Sequence, residues 1–155
     1  MTEKFAISVK SLIKQYGKFT AVDGISFKVK SGEIFSLLGP NGAGKTTIVE
    51  IIECLKKPTK GEVEVFGINI RDLKKQINIK RKIGVMPQNF NAFDWLTVKE
   101  NLEYFKNIYS SNKSVVKLIE DVGLDGKTDA LYKTLSGGMK QRLGIAISLI
   151  NEPEL

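Results

Sequence analysis

Residues Gly39–Thr46 read GPNGAGKT, and no other stretch constrains this chain's fold as sharply. Glycine, glycine, lysine and threonine stand at the fixed positions of the pattern G-x-x-x-x-G-K-[ST]. Gly39 and Gly44 open backbone conformations closed to other residues and let main-chain N–H groups approach an anion. Pro40, Asn41, Gly42 and Ala43 make the body of the loop, and Thr47 continues it into the next segment. Such a loop forms a concave nest of N–H groups at a helix N-terminus, where the partial positive charge adds attraction for phosphate. Lys45 supplies a mobile point charge for β- and γ-phosphates. The Thr46 hydroxyl is a hard oxygen ligand for Mg²⁺. Chance gives about five such matches per thousand chains of this length. Here the context fits as well. The apolar run Ile34–Leu38 predicts a strand buried on both faces. Ile48, Ile51, Ile52 and Leu55 fall at helical spacing behind the loop.

The flanking segments extend that pattern. Phe5, Ile7 and Val9 alternate with polar residues, as do Ile25, Phe27 and Val29, which predicts two half-buried strands. Tyr16-Gly17-Lys18 is expected in the loop between them, and Gly32 marks a turn. Pro58 closes the helix region, and Val63 and Val65 predict a further strand ended by Gly67. Ile83–Met86 reads as another short apolar strand, ending at Pro87-Gln88. Beyond Gln88 the periodicity turns helical. Val98, Leu102, Phe105 and Tyr109 form one stripe, with Thr97 and Glu100 spaced as a capping box. Ser114 is placed to cap a second helix, with Val115, Leu118, Ile119 and Val122 inward and Gly123 ending it. A third helix follows Ser136, with Met139, Leu143, Ile147 and Ile150 on its stripe and Pro153 beyond.

Composition narrows the chemistry. The chain contains no histidine, which excludes histidine acid–base chemistry and histidine metal sites within it. Its single cysteine, Cys54, cannot form an internal disulfide and is expected as a small buried hydrophobe. No apolar stretch is long enough to span a bilayer, and the N-terminus lacks a secretory pattern, so a cytoplasmic chain is expected. The net charge is +7, with basic residues densest over 71–82. No aromatic residue interleaves with that stretch, so no nucleic-acid partner is expected.

A second glycine-rich helix start reads LSGGMKQR over Leu135–Arg142. With the phosphate loop, it resembles the signature of the ATP-binding subunits of ABC transporters, LSGGQ. Met139 stands where that family has glutamine. The resemblance covers essentially the whole chain, including Trp95–Leu102 (WLTVKENL), which resembles the family's helical subdomain. An interface or core anchor is an equal reading of Trp95 itself. The resemblance implies an α/β P-loop NTPase core with a mixed sheet, an N-terminal antiparallel β subdomain and an inserted helical subdomain. It divides the chain into a nucleotide-binding core over 1–88, a helical subdomain over 89–140 with the signature at its end, and a return towards the core over 141–155.

It also implies roles for particular residues. Tyr16 is expected to stack on adenine, against the alternative of a surface turn tyrosine. Gln88 is expected to reach Mg²⁺, alongside Thr46, and the attacking water, against the alternative of a polar loop residue. Ser136, Gly137, Gly138 and Met139 would face the ATP of a second ATP-binding subunit, with a transmembrane permease as the further partner and a location at the inner face of the membrane. In the family, a strand after the signature helix ends in Asp-Glu. This chain ends at Leu155 before such a strand, so one incomplete domain is expected and its general base is unknown. Three functions therefore stand open. One is the ATPase of a transporter. The second is an ATP-binding module without hydrolysis. The third is a soluble member of the family acting on DNA or ribosomes, supported by charge alone.

Overall fold

A computed structural model describes residues 4–155. It comprises two compact units, one running to Arg81 and the other spanning Lys82–Leu155.

The first unit is built on an antiparallel sheet of β1 (Phe5–Tyr16), β2 (Phe19–Lys30), β3 (Lys60–Val65) and β4 (Ile68–Asn69), in the order β2-β1-β3-β4. Alternation sets the register. Ile7 lies between Val29 and Val65, and Val9 lies between Phe27 and Val63. This places Ile7, Val9, Val29, Val63 and Val65 on the buried side. Strands β1 and β2 run well past the apolar positions that announce them and close through a turn at Gly17-Lys18. Tyr16 is therefore the last residue of β1, paired with Phe19, and is not in the loop. The ladder slips around Ser11, whose φ of 45° makes room for the extra residue of a bulge.

Helix α1 (Lys45–Ile52) packs Ile48, Ile51 and Ile52 inward, as the spacing predicts. It stops earlier than the stripe suggests. Cys54 turns left-handed at φ 59°, and Leu55 lies outside the helix with 66% exposure. Cys54 is thus half-buried at the helix exit and is not a core residue. Burial raises its thiol pKa, with the Lys80 charge opposing. A short helix α2 (Gln76–Lys80) buries Ile79.

The expected strand Ile34–Leu38 is not one. Ile34 is 99% exposed and Leu38 90%, and the segment joins no ladder among the described residues. A strand buried on both faces needs hydrogen-bonded neighbours along both edges. Every strand of this unit is committed to the antiparallel sheet instead. Ile83–Met86 in the second unit is likewise extended but carries no assigned strand. The Gly84 N–H donates to the Leu155 carbonyl (2.9 Å) and the Leu155 N–H donates to the Lys82 carbonyl (3.2 Å), the pattern of one parallel bridge. The named strands all pair antiparallel, and among the described residues the parallel half of the expected mixed sheet is present as extended chain with this one bridge.

The second unit packs helices α3 (Val98–Tyr109), α4 (Val115–Asp121) and α5 (Gly137–Ser148) around Leu102, Leu118, Leu124, Tyr132, Leu143 and Ile150. Burial of each such side chain stabilises the unit by about 1.5–3 kcal/mol. The starts of α3 and α4 are capped as the sequence predicts, and α5 is capped as well. Thr97 Oγ1 accepts from the Glu100 N–H while Glu100 accepts from the Thr97 N–H. Ser114 accepts from the Lys117 N–H and Ser136 from the Met139 N–H. Gly123, at φ 65°, ends α4.

Candidate functional site

In the first unit, the phosphate loop wraps the start of α1. Gly44 stands at the N-cap with φ 81°, and no side chain caps the helix. Its first-turn N–H groups are thus left to a ligand or solvent. Any Cβ at position 44 would lie 2.2 Å from the Ala21 carbonyl oxygen, so β2 admits only glycine there. Gly42 also takes a positive φ, 85°. The Ala43 N–H donates to the Pro40 carbonyl, tightening the loop. The Lys45 ammonium donates to the carbonyls of Gly39 and Pro40, both at 2.7 Å. An ammonium has three donors, so these bonds fix its place at the loop without exhausting its capacity. Thr46 is exposed in the first turn and Thr47 half-buried beside it. A nest of N–H groups, one held ammonium and an exposed hydroxyl make a donor set that suits a polyphosphate with a hard divalent cation.

Tyr16 reaches the same region from the end of β1. It is 42% exposed. The Thr47 side chain, followed by the Lys56 and Lys14 cations, holds its phenol below the ordinary tyrosine pKa. The Lys14 and Lys56 ammonium groups lie 4.9 Å and 5.4 Å from its ring centroid. Sequence reasoning placed Tyr16 by its distance from the loop. It did not find Lys56, which lies forty positions along the chain from Tyr16 and carries no local signal.

The second unit holds the other predicted residues. Gln88 is exposed and lines a cleft of about 390 Å³ with Phe90, Tyr132, Gly137, Lys140 and Gln141. The loop after Met86 packs on α5, where a Cβ on Gly144 would sit 2.9 Å from the Phe90 ring. Phe90 meets the buried Tyr132 edge-on at 6.5 Å, and the Lys140 ammonium lies 4.7 Å from the Tyr132 ring centroid. Ser136, Gly137 and Gly138 are exposed, and Met139 packs partly against the helical core. Asn101, fully buried, was not anticipated. Its side chain accepts from the Phe93 N–H and donates to the carbonyls of Phe93, Leu96 and Thr97, fixing the turn that displays Trp95. A carboxamide on an otherwise apolar helix face was the available signal. Trp95 is 74% exposed with Lys133 over its ring, so it is not a core anchor. Among the described residues no helix is long and apolar enough to cross a membrane, and no cluster of acidic or cysteine ligands could hold a metal.

Residues 22–155 match the family model described as ABC transporter. The linearmycin resistance ATP-binding protein LnrL of Bacillus subtilis is 39% identical over 96% of this chain and 49% of its own length. The methionine import ATP-binding protein MetN of Geobacillus kaustophilus is 40% identical, over 96% and 47% respectively. Among solved structures, the ATP-binding cassette MJ0796, a dimer bound to ADP and phosphate, superposes with a TM-score of 0.79 at 33% identity, covering 95% of this chain and 70% of that one. CbiO1 of Clostridium perfringens, part of a transporter complex, superposes with a TM-score of 0.82 at 26% identity, covering 97% and 63%. The chain belongs to the ABC transporter family and has the fold of its P-loop ATPase domain. It spans about half the length of the curated relatives it matches.

Proposed function

We propose that this chain is part of the ATP-binding subunit of an ABC transporter and binds Mg·ATP through Gly39–Thr47. The carrying observation is the start of α1, where no side chain caps the helix and the Lys45 ammonium is held at the loop. Backbone N–H groups and Lys45 would bind the phosphates, Tyr16 would stack on the base, and Thr46 and Gln88 would hold Mg²⁺, which neutralises phosphate charge when bound. Relatives named as ATP-binding proteins of linearmycin resistance and of methionine import support this assignment. The division into a core over 1–88, a helical subdomain over 89–140 and a return over 141–155 belongs to the same proposal.

The partners follow from similar proteins. The dimeric cassette and the multi-subunit complex support a second ATP-binding subunit and a membrane permease. In that assembly Ser136, Gly137, Gly138 and Met139 would face the partner's nucleotide, and the subunit would lie on the cytoplasmic side of the membrane. ATP hydrolysis is proposed for the assembled subunit, with no general base assigned within these residues.

Two variants test the composite arrangement. Lys45→Ala is expected to remove ATP binding measured by calorimetry. Ser136→Arg is expected to spare ATP binding by the monomer and to block ATP-driven dimerisation measured by light scattering. Equal loss of nucleotide affinity in both variants would refute the proposal.

A further inference from the structure

Lys56 is tied twice to Glu50, on the helix that the phosphate loop opens. Its backbone N–H donates to the Glu50 carbonyl at 3.1 Å, and its ammonium meets the Glu50 carboxylate at 2.7 Å. Both side chains are partly shielded, at 39% and 29% exposure. The same ammonium lies 5.4 Å from the centroid of the Tyr16 ring. Tyr16 is the final residue of β1, next to a two-residue turn, where its backbone pairs with Phe19. The Lys14 ammonium lies 4.9 Å from the same ring but is anchored to the Lys57 carbonyl, outside α1. The Thr47 side chain reaches the Tyr16 phenol from the first turn of α1, and among the described residues the Glu50–Lys56 pair adds a charged contact between the ring and that helix.

We propose that Glu50 and Lys56 are positioning residues that brace the Tyr16 ring at a fixed reach from the phosphate loop, and so set the part of nucleotide affinity that depends on the base. The proposal rests on the reading of Tyr16 as a base-stacking residue. A ring held before the ligand arrives loses less freedom on binding. A cation over an aromatic face is attracted by the ring's quadrupole, which supplies the hold.

Calorimetry with Mg·ATP and with Mg·tripolyphosphate separates the base from the phosphates. Tripolyphosphate affinity is expected to stay unchanged in Tyr16→Ala, Lys56→Ala, Lys56→Arg and Glu50→Gln. ATP affinity is expected to fall roughly ten-fold in Tyr16→Ala, the scale of one base–aromatic stack. It should fall about three-fold in Lys56→Ala, the scale of an exposed cation–π contact. Glu50→Gln should lower it in the same direction, and Lys56→Arg should restore it. In the Tyr16→Ala background, Lys56→Ala should add nothing. An unchanged ATP affinity in Lys56→Ala, an equal loss for both ligands, or a loss that persists without Tyr16 overturns the brace while leaving the stacking reading intact. An unchanged ratio of the two affinities in Tyr16→Ala overturns the stacking reading itself and the brace with it.

Discussion

Two helices in this molecule begin at glycine-rich loops, and their starts are built in opposite ways. Helix α1 starts at a left-handed Gly44 with no side-chain cap, and its glycine is enforced by the Ala21 carbonyl against it. Helix α5 starts at Ser136, whose hydroxyl already accepts from the Met139 N–H. A Cβ at Gly137 or Gly138 would meet nothing within 4 Å, and neither takes a positive φ. The first loop needs glycine for its own fold. The second does not, and glycine in an exposed first turn costs helix stability without an internal return. Under the proposed function, close approach by a partner's nucleotide would account for glycine there.

That contrast can be broken by substitution. Gly44→Val should have the largest effect. It forces a β-branched residue into left-handed backbone and onto the Ala21 carbonyl, so the chain should lose about 3 kcal/mol or more in chemical denaturation, with nucleotide binding lost alongside. Ser136→Ala should cost about 1 kcal/mol through the lost cap and leave monomer affinity for ATP unchanged. Gly138→Ala sharpens the comparison further. Its stability should hold or rise by up to about 1 kcal/mol, whereas ATP-driven dimerisation should weaken. A marked loss of stability there would show that the second loop, too, needs glycine internally.

The smallest effect concerns α3, a start capped from both sides. The backbone N–H and the hydroxyl of Thr97 hold the Glu100 carboxyl below its ordinary pKa. A lowered folded-state pKa contributes stability above the unfolded value, lost as pH falls through the folded one. Far-ultraviolet circular dichroism should show helix signal declining in acid below the usual carboxylate range, and Glu100→Gln should flatten that decline.

What could be read from the sequence follows the same division between local and distant causes. The caps at Thr97 and Ser114 and the buried positions Ile48, Ile51 and Ile52 of α1 depend on residues three or four apart, and each formed as its spacing indicates. Ile34–Leu38 and Ile83–Met86 are apolar enough for buried strands, but strand formation depends on partners that local composition does not reveal. Helix α1 ends early because Cys54 turns left-handed, which the apolar spacing through Leu55 concealed. The left-handed glycine start of α1 was legible because its pattern sits in eight consecutive residues. Lys56 beside Tyr16, and the Asn101 bonds to Phe93 and Leu96, join positions that only the folded chain brings together.

The central claim is that the uncapped start of α1, with Lys45, takes up a magnesium-bound triphosphate. Isothermal calorimetry of ATP into folded chain, with and without Mg²⁺, tests it most directly. The account predicts saturable, magnesium-dependent uptake that is no longer detected when Lys45 is replaced by alanine, through loss of its charge-assisted hydrogen bonds to phosphate. Absence of uptake by the folded chain, or equal uptake by Lys45→Ala, would contradict it.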